Sequence, residues 1–150
     1  MPGVVGQTVA LDAGGVADEA LRPAELAGLL EDAGFVAGAQ RAFSPGLKVR
    51  RVDVRVLVFD STDGARAYLG WLDSHASEVI GMIEARETIE VNGSAVTVFA
   101  HFPGGCCPHE MPVYLTAWRD GSRILSVKAV GPDVNLMRVQ DLAVAVDGAV

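Results

Sequence analysis

The stretch that decides the fold is Val113-Tyr114-Leu115-Thr116-Ala117-Trp118-Arg119-Asp120-Gly121-Ser122-Arg123-Ile124-Leu125-Ser126-Val127-Lys128-Ala129-Val130. Two β-prone runs flank Asp120-Gly121, a pair favoured in tight hairpin turns because both residues tolerate positive φ. A two-residue Asp120-Gly121 turn sets Trp118 opposite Arg123 and Thr116 opposite Leu125. A second hairpin precedes it, with Asn92-Gly93 between Thr88–Val91 and Ser94–Phe102. Consecutive tight hairpins make the sheet antiparallel.

Working outward, Val52, Val54, Val56 and Val58 alternate with Arg51, Asp53 and Arg55, giving a strand over Val49–Phe59 with one dry and one partly wet face. Ser61-Thr62-Asp63-Gly64 opens a helix, since short polar side chains cap unpaired N–H groups. Ala65, Tyr68, Leu69, Leu72 and Ala76 form its apolar stripe, which Val79, Ile80 and Ile83 extend. An earlier helix spans Pro23–Ala33, with Leu26, Leu29 and Leu30 facing inward and Gly34 as a left-handed cap. Gly131-Pro132-Asp133 ends the final strand before a last helix over Val134–Asp147, with Leu136, Val139, Ala143 and Val146 inward. Residues 1–20 lack periodicity and read as a poorly ordered arm or a short edge strand. The expectation is an α+β domain over residues 21–150, ordered α-β-α-β-β-β-β-α. It has one antiparallel sheet of about five strands, with helices mainly on one face.

Composition narrows the function. The chain has 150 residues, half of them apolar, so it can bury a core without disulfides or metal. Its net charge of −7 argues against nucleic-acid binding, and no apolar run is long enough to span a membrane as a helix. Ten Arg against two Lys, with abundant Ala, Gly and Val, suggest a GC-rich bacterial genome. The start, Met1-Pro2-Gly3-Val4-Val5-Gly6, lacks a secretory signal. The expected compartment is cytoplasmic if Met1 is native and extracytoplasmic if the chain is a mature fragment. Phosphate-cradling, nucleophile-elbow and zinc-protease motifs are missing from the sequence. Nothing in it favours an enzyme.

Three groups of residues are candidates for a site. The segment His101-Phe102-Pro103-Gly104-Gly105-Cys106-Cys107-Pro108-His109-Glu110 gathers thiols and imidazoles, the usual ligands of zinc and copper. Adjacent cysteines fit two vertices of a tetrahedron poorly, so the first reading is an ordinary connecting loop. A metal site of His101, Cys106, Cys107 and His109, or a redox-active thiol pair, is the alternative. Basic residues concentrate at Arg41, Lys48, Arg50, Arg51 and Arg55, against Asp53 alone. Arg51 and Arg55 are candidates for contacting an anion. The simpler reading is a solvated strand face paired to Glu90 or Glu87. Tyr114 and Trp118 share one strand face, and Phe99 and His101 share a face of another. If these faces join away from the helices, they hold a small apolar molecule.

The run Ala33-Gly34-Phe35, the valine strand leading into Val58-Phe59-Asp60-Ser61-Thr62-Asp63-Gly64-Ala65-Arg66-Ala67-Tyr68-Leu69, the two hairpins and the closing helix resemble small extracytoplasmic lipoprotein or sensor-like domains of actinobacteria. That resemblance implies a ligand- or partner-binding module and supplies no catalytic residues. The resulting expectation is a non-enzymatic binding module without a cofactor. Its partner would be a small apolar or anionic ligand or a protein, including a second copy as a homodimer.

Overall fold

A computed structural model describes residues 4–45, 49–102 and 111–149. The elements in chain order are β1 (Val4–Leu11), α1 (Ala13–Ala17), α2 (Pro23–Asp32), β2 (Phe35–Ser44), β3 (Arg51–Phe59), α3 (Thr62–His75), α4 (Ser77–Ile80), β4 (Ala85–Val91), β5 (Ser94–His101), β6 (Val113–Asp120), β7 (Arg123–Val130) and α5 (Leu136–Ala149). They build an α+β structure on one antiparallel sheet, in the order β1-β2-β3-β7-β6-β5-β4. The sheet has seven strands rather than about five. The two additional strands are β1 and β2, so the first residues form an edge strand followed by the short helix α1.

The period-two alternation of β3 holds, but the valine face is not the dry one: Val54, Val56 and Val58 are half-buried, and Asp53, Leu57 and Phe59 on the opposite face are buried, because a core lies on each side of the sheet. Leu57 and Phe59 join Leu26, Leu30, Tyr68, Leu72, Phe99, Leu115 and Ile124 in a core beneath α1 to α4. Val52 joins Val98, Trp118, Leu125 and Val127 in a second core on the other face, covered by Val139 and Ala143 of α5. Four helices therefore lie on one face and α5 on the other. This explains why β6 is apolar on both sides: Leu115 and Trp118 point into different cores, each giving up water-exposed apolar area.

Local chemistry sets the boundaries. Gly34 takes φ +76° after α2, and Asp60 so crowds it that an added Cβ would lie 2.1 Å from the carboxylate. The amide of Gly64 donates to Ser61 Oγ at 3.0 Å and caps α3. Arg138 N donates to Asn135 Oδ1 at 2.9 Å at the start of α5. The predicted continuation of α3 is interrupted, and α4 ends at Gly81, with φ +93°.

The hairpins differ in register. Val91 pairs with Ser94 around Asn92 and Gly93, both left-handed at φ 47° and 85°. In the second hairpin only Gly121 is left-handed, at φ 62°. Asp120 therefore stays in the ladder opposite Arg123, and the turn residues are Gly121-Ser122. Trp118 faces Leu125 and Thr116 faces Val127, two residues from the expected partners. A two-residue shift keeps every side chain on its expected face.

Candidate functional site

The sheet divides the residues expected to share an aromatic surface. Phe99 is buried beneath α1 to α4, with the Arg86 guanidinium carbon 4.9 Å from its ring centroid. Trp118 is buried on the α5 side, where Tyr114 also packs. Tyr114 meets Phe102 edge to face at 5.9 Å. Burial, with the Glu87 charge adding to it, raises the Tyr114 hydroxyl pKa above its ordinary value. His101 follows the parity of Phe99, and its Nδ1 lies 2.8 Å from Met82 O and 3.3 Å from Glu84 Oε2. The four side chains do not form one open face, because Phe99 and His101 share the α1–α4 face with Leu115, whereas Tyr114 and Trp118 share the α5 face with Val98, and helices cover both sides.

The anion-contacting pair is engaged internally. Arg51 binds Asp53, with Nη2 to Oδ1 at 2.9 Å, and this bond raises the pKa of its guanidinium. Arg55 pairs with Glu19 and donates to Gln40 Oε1 at 2.7 and 3.1 Å. Glu87 and Glu90 are not the partners, since β4 lies at the far edge with β5, β6 and β7 between it and β3. The Arg55 cluster continues to Tyr68, whose hydroxyl donates to Glu19 Oε1 at 3.3 Å. Burial and the Glu19 carboxylate push the Tyr68 hydroxyl far above the ordinary tyrosine range. The adjoining cavity of about 20 Å³ has room for about one water, so this cluster is a packed network.

Cys106, Cys107, His109 and Glu110 lie outside the described residues, as does Lys48. Among the described residues, no three His, Cys, Asp or Glu side chains are grouped to hold a metal ion. Within the described residues, no helix is long and apolar enough to cross a membrane.

A concavity lies where the sheet opens. The β5–β6 ladder runs from His101↔Val113 to Val98↔Thr116 and stops, although both strands continue for four more residues, Ser94–Thr97 and Ala117–Asp120. Both hairpin turns lie at this end. Each tip stays paired within its own hairpin, and two-stranded ribbons twist more strongly than wide sheets, so the tips diverge. The Thr116 hydroxyl donates to Thr97 O at 2.9 Å at the last rung. Beyond it is a cleft of about 580 Å³, within the range of small-ligand sites. Leu69, Gly70 and Asp73 of α3 flank it, and Phe99 and Trp118 reach it from opposite sides of the sheet.

Asp147 of α5 spans the mouth. Its Oδ1 accepts the Trp118 indole N–H at 2.8 Å, and its other oxygen accepts the Asn92 amide at the tip of the first hairpin. One carboxylate thereby ties α5 to both hairpins. Asp73 and Asp120, also at the cleft, pair with Arg86 and Arg123. Phe99 and Trp118 were legible in sequence as candidates. The missing ladder between them carries no residue signature.

No protein-family model matches the chain, and no match is found among curated proteins. Among solved structures, the chain is similar to the extracellular domain of PknH from Mycobacterium tuberculosis, with a TM-score of 0.49 and 10% sequence identity. The similarity covers 100% of this chain and 84% of that one.

Proposed function

We propose that this protein is a non-enzymatic binding module whose ligand occupies the cleft between the β4–β5 and β6–β7 hairpins. The observation that carries this reading is the early end of the β5–β6 ladder at Val98↔Thr116, which leaves a cavity of about 580 Å³ inside an otherwise continuous sheet. The cleft offers strand edges, apolar surface from Leu69, Ala95 and Ala117, and carboxylates already engaged by Arg86, Arg123, Trp118 and Asn92. These groups suit recognition. They include no nucleophile held against a base, which covalent catalysis would require.

The test uses a Trp71→Phe variant, in which Trp118 is the remaining indole and reports on the cleft. Apolar, anionic and peptide probes are titrated into it while emission is followed. Ala95 is exposed on the β5 wall, so Ala95→Phe narrows the cleft without entering the core. Saturable changes that disappear in Ala95→Phe, at an unchanged urea midpoint, support the reading. Unchanged emission across the three probe classes counts against it.

A further inference from the structure

We infer that the cleft takes an extended polypeptide segment carrying a basic side chain, held by main-chain hydrogen bonds to the open strand edges. This rests on the cleft being the binding site and names the class of its ligand. The first argument is backbone direction. In a hairpin with a two-residue loop, the residues flanking the loop bond to each other, and alternate residues along the strand turn their N–H and C=O groups outward. Val91↔Ser94 and Asp120↔Arg123 are those flanking pairs. Ala95 and Arg119 therefore turn their main-chain groups away from their hairpin partners and toward the cleft.

Unpaired strand edges are templates for an added strand, with main-chain bonds supplying affinity and alternate side chains supplying specificity. Each open edge has four residues, about 13 Å at the rise of a strand, which matches a short extended segment. Because β5 and β6 are antiparallel, the inserted segment runs antiparallel to one wall and parallel to the other. Side chains on its two faces then meet different surroundings. Leu69 and Phe99 lie on the α3 side, with Trp118 and Asp147 on the α5 side.

Charge selects the segment. Asp73 and Asp120 are matched by arginines, whereas the hydrogen bonds to Asp147 come from an indole N–H and an amide, both neutral. Arg119 also lines the cleft, but its guanidinium bonds to Gly121 O and alternation places it on the α3 face with Leu115. On the α5 face the Asp147 carboxylate thus stands without a cationic partner among the described residues, complementary to a Lys or Arg side chain on that side of the segment.

The experiment follows main-chain amide signals of the ¹⁵N-labelled full chain. The probes are an acetylated, amidated Val-Lys-Val-Lys-Val peptide, its Glu counterpart, the Lys peptide N-methylated at two main-chain amides, and dodecylamine. Dodecylamine presents apolar and cationic groups without a peptide backbone. The expected result is saturable shifts at Ala95 and Arg119 with the Lys peptide, and binding about tenfold weaker after N-methylation. The Glu peptide is also expected to bind about tenfold more weakly, and Asp147→Asn to reduce that preference to about twofold or less.

If dodecylamine shifts these amides and N-methylation changes nothing, the peptide inference is overturned while the cleft remains the binding site. Equal binding of the Lys and Glu peptides overturns the basic specificity. If no probe moves the cleft signals, both this inference and the reading beneath it fail.

Discussion

Gly64→Ala should destabilise the protein, although the same change at two other helical glycines should stabilise it. Gly64 lies in the first turn of α3, against the C-terminal end of α2. A Cβ there would sit 1.9 Å from Ala33 O and 3.0 Å from the carbonyl carbon. The obstacle is backbone, so one helix must move by more than about 1 Å to restore an ordinary C···O separation of about 3.3 Å. The helix-propensity gain of Ala over Gly is at most about 1 kcal/mol. Overpacking of this kind costs about 1–3 kcal/mol and sometimes more, so the clash wins and the net loss should be near 2 kcal/mol. At this chain length that lowers Tm by about 4–8 °C. Gly28 in α2 and Gly70 in α3 have nothing within 4 Å of an added Cβ. Their Ala variants should gain about 0.5–1 kcal/mol. Urea unfolding followed by circular dichroism compares all three variants with the parent. A Gly64→Ala midpoint at or above the parent's, alongside the Gly28→Ala gain, would refute the proposed fit of α2 on α3.

Three further outcomes follow from the packing. Leu30 is fully buried while Leu29 is only partly so, and Leu30→Ala should cost about 2–5 kcal/mol, clearly more than Leu29→Ala, in urea unfolding. Arg55 and Glu19 leave only 13% and 15% of their side chains exposed. Arg55→Met should therefore cost about 3 kcal/mol by stranding Glu19, and adding Glu19→Met should restore most of it; a strictly additive double mutant would contradict the pairing. The raised Tyr68 pKa keeps its proton on in the folded state when an unfolded tyrosine, near 10.0, would lose it. That contribution is complete below pH 10 and declines as pH rises further; Tyr68→Phe should flatten the alkaline decline seen in thermal unfolding at stepped pH.

The parts of the fold that were legible are those governed by short-range rules. Val52 to Val58 alternate because β3 has one face in the α5-side core, and Asn92-Gly93 sets its own register because both residues take positive φ. Asp120-Gly121 misled by one position because Gly121 alone supplies the left-handed conformation, and Ser122 completes the turn. Strand β2 was hidden by composition. Ala37, Gly38 and Ala39 show no alternation, and the strand's residues range from exposed to half-buried. Its pairing with β1 depends on close approach, since a Cβ on Gly6 would lie 2.3 Å from Ala42 O. The partners of Arg51 and Arg55 escaped for another reason. Asp53 follows Arg51 by two residues on the same strand face, and Glu19 comes from the segment beyond α1, which had no periodic signal.

The cleft was illegible because tight-turn rules specify each hairpin but not how two hairpins join. Within each hairpin the pairing continues to the turn, so the walls of the cleft are as fully paired on their outer sides as any central strand. The tips are therefore not frayed ends. Val96 and Trp118 remain buried beside the gap, and Asp147 binds the Asn92 and Trp118 side chains at once. A closed ladder would add backbone bonds between Ala95 and Arg119, each worth about 1 kcal/mol net because water competes for the same groups. The twist of two short ribbons opposes that modest gain, while the Thr116 hydroxyl and the Asp147 carboxylate bridge the two hairpins at either end of the gap. A small net cost of opening is the condition under which an added strand can recover the missing bonds as binding energy, because the protein has already given them up in forming the cleft.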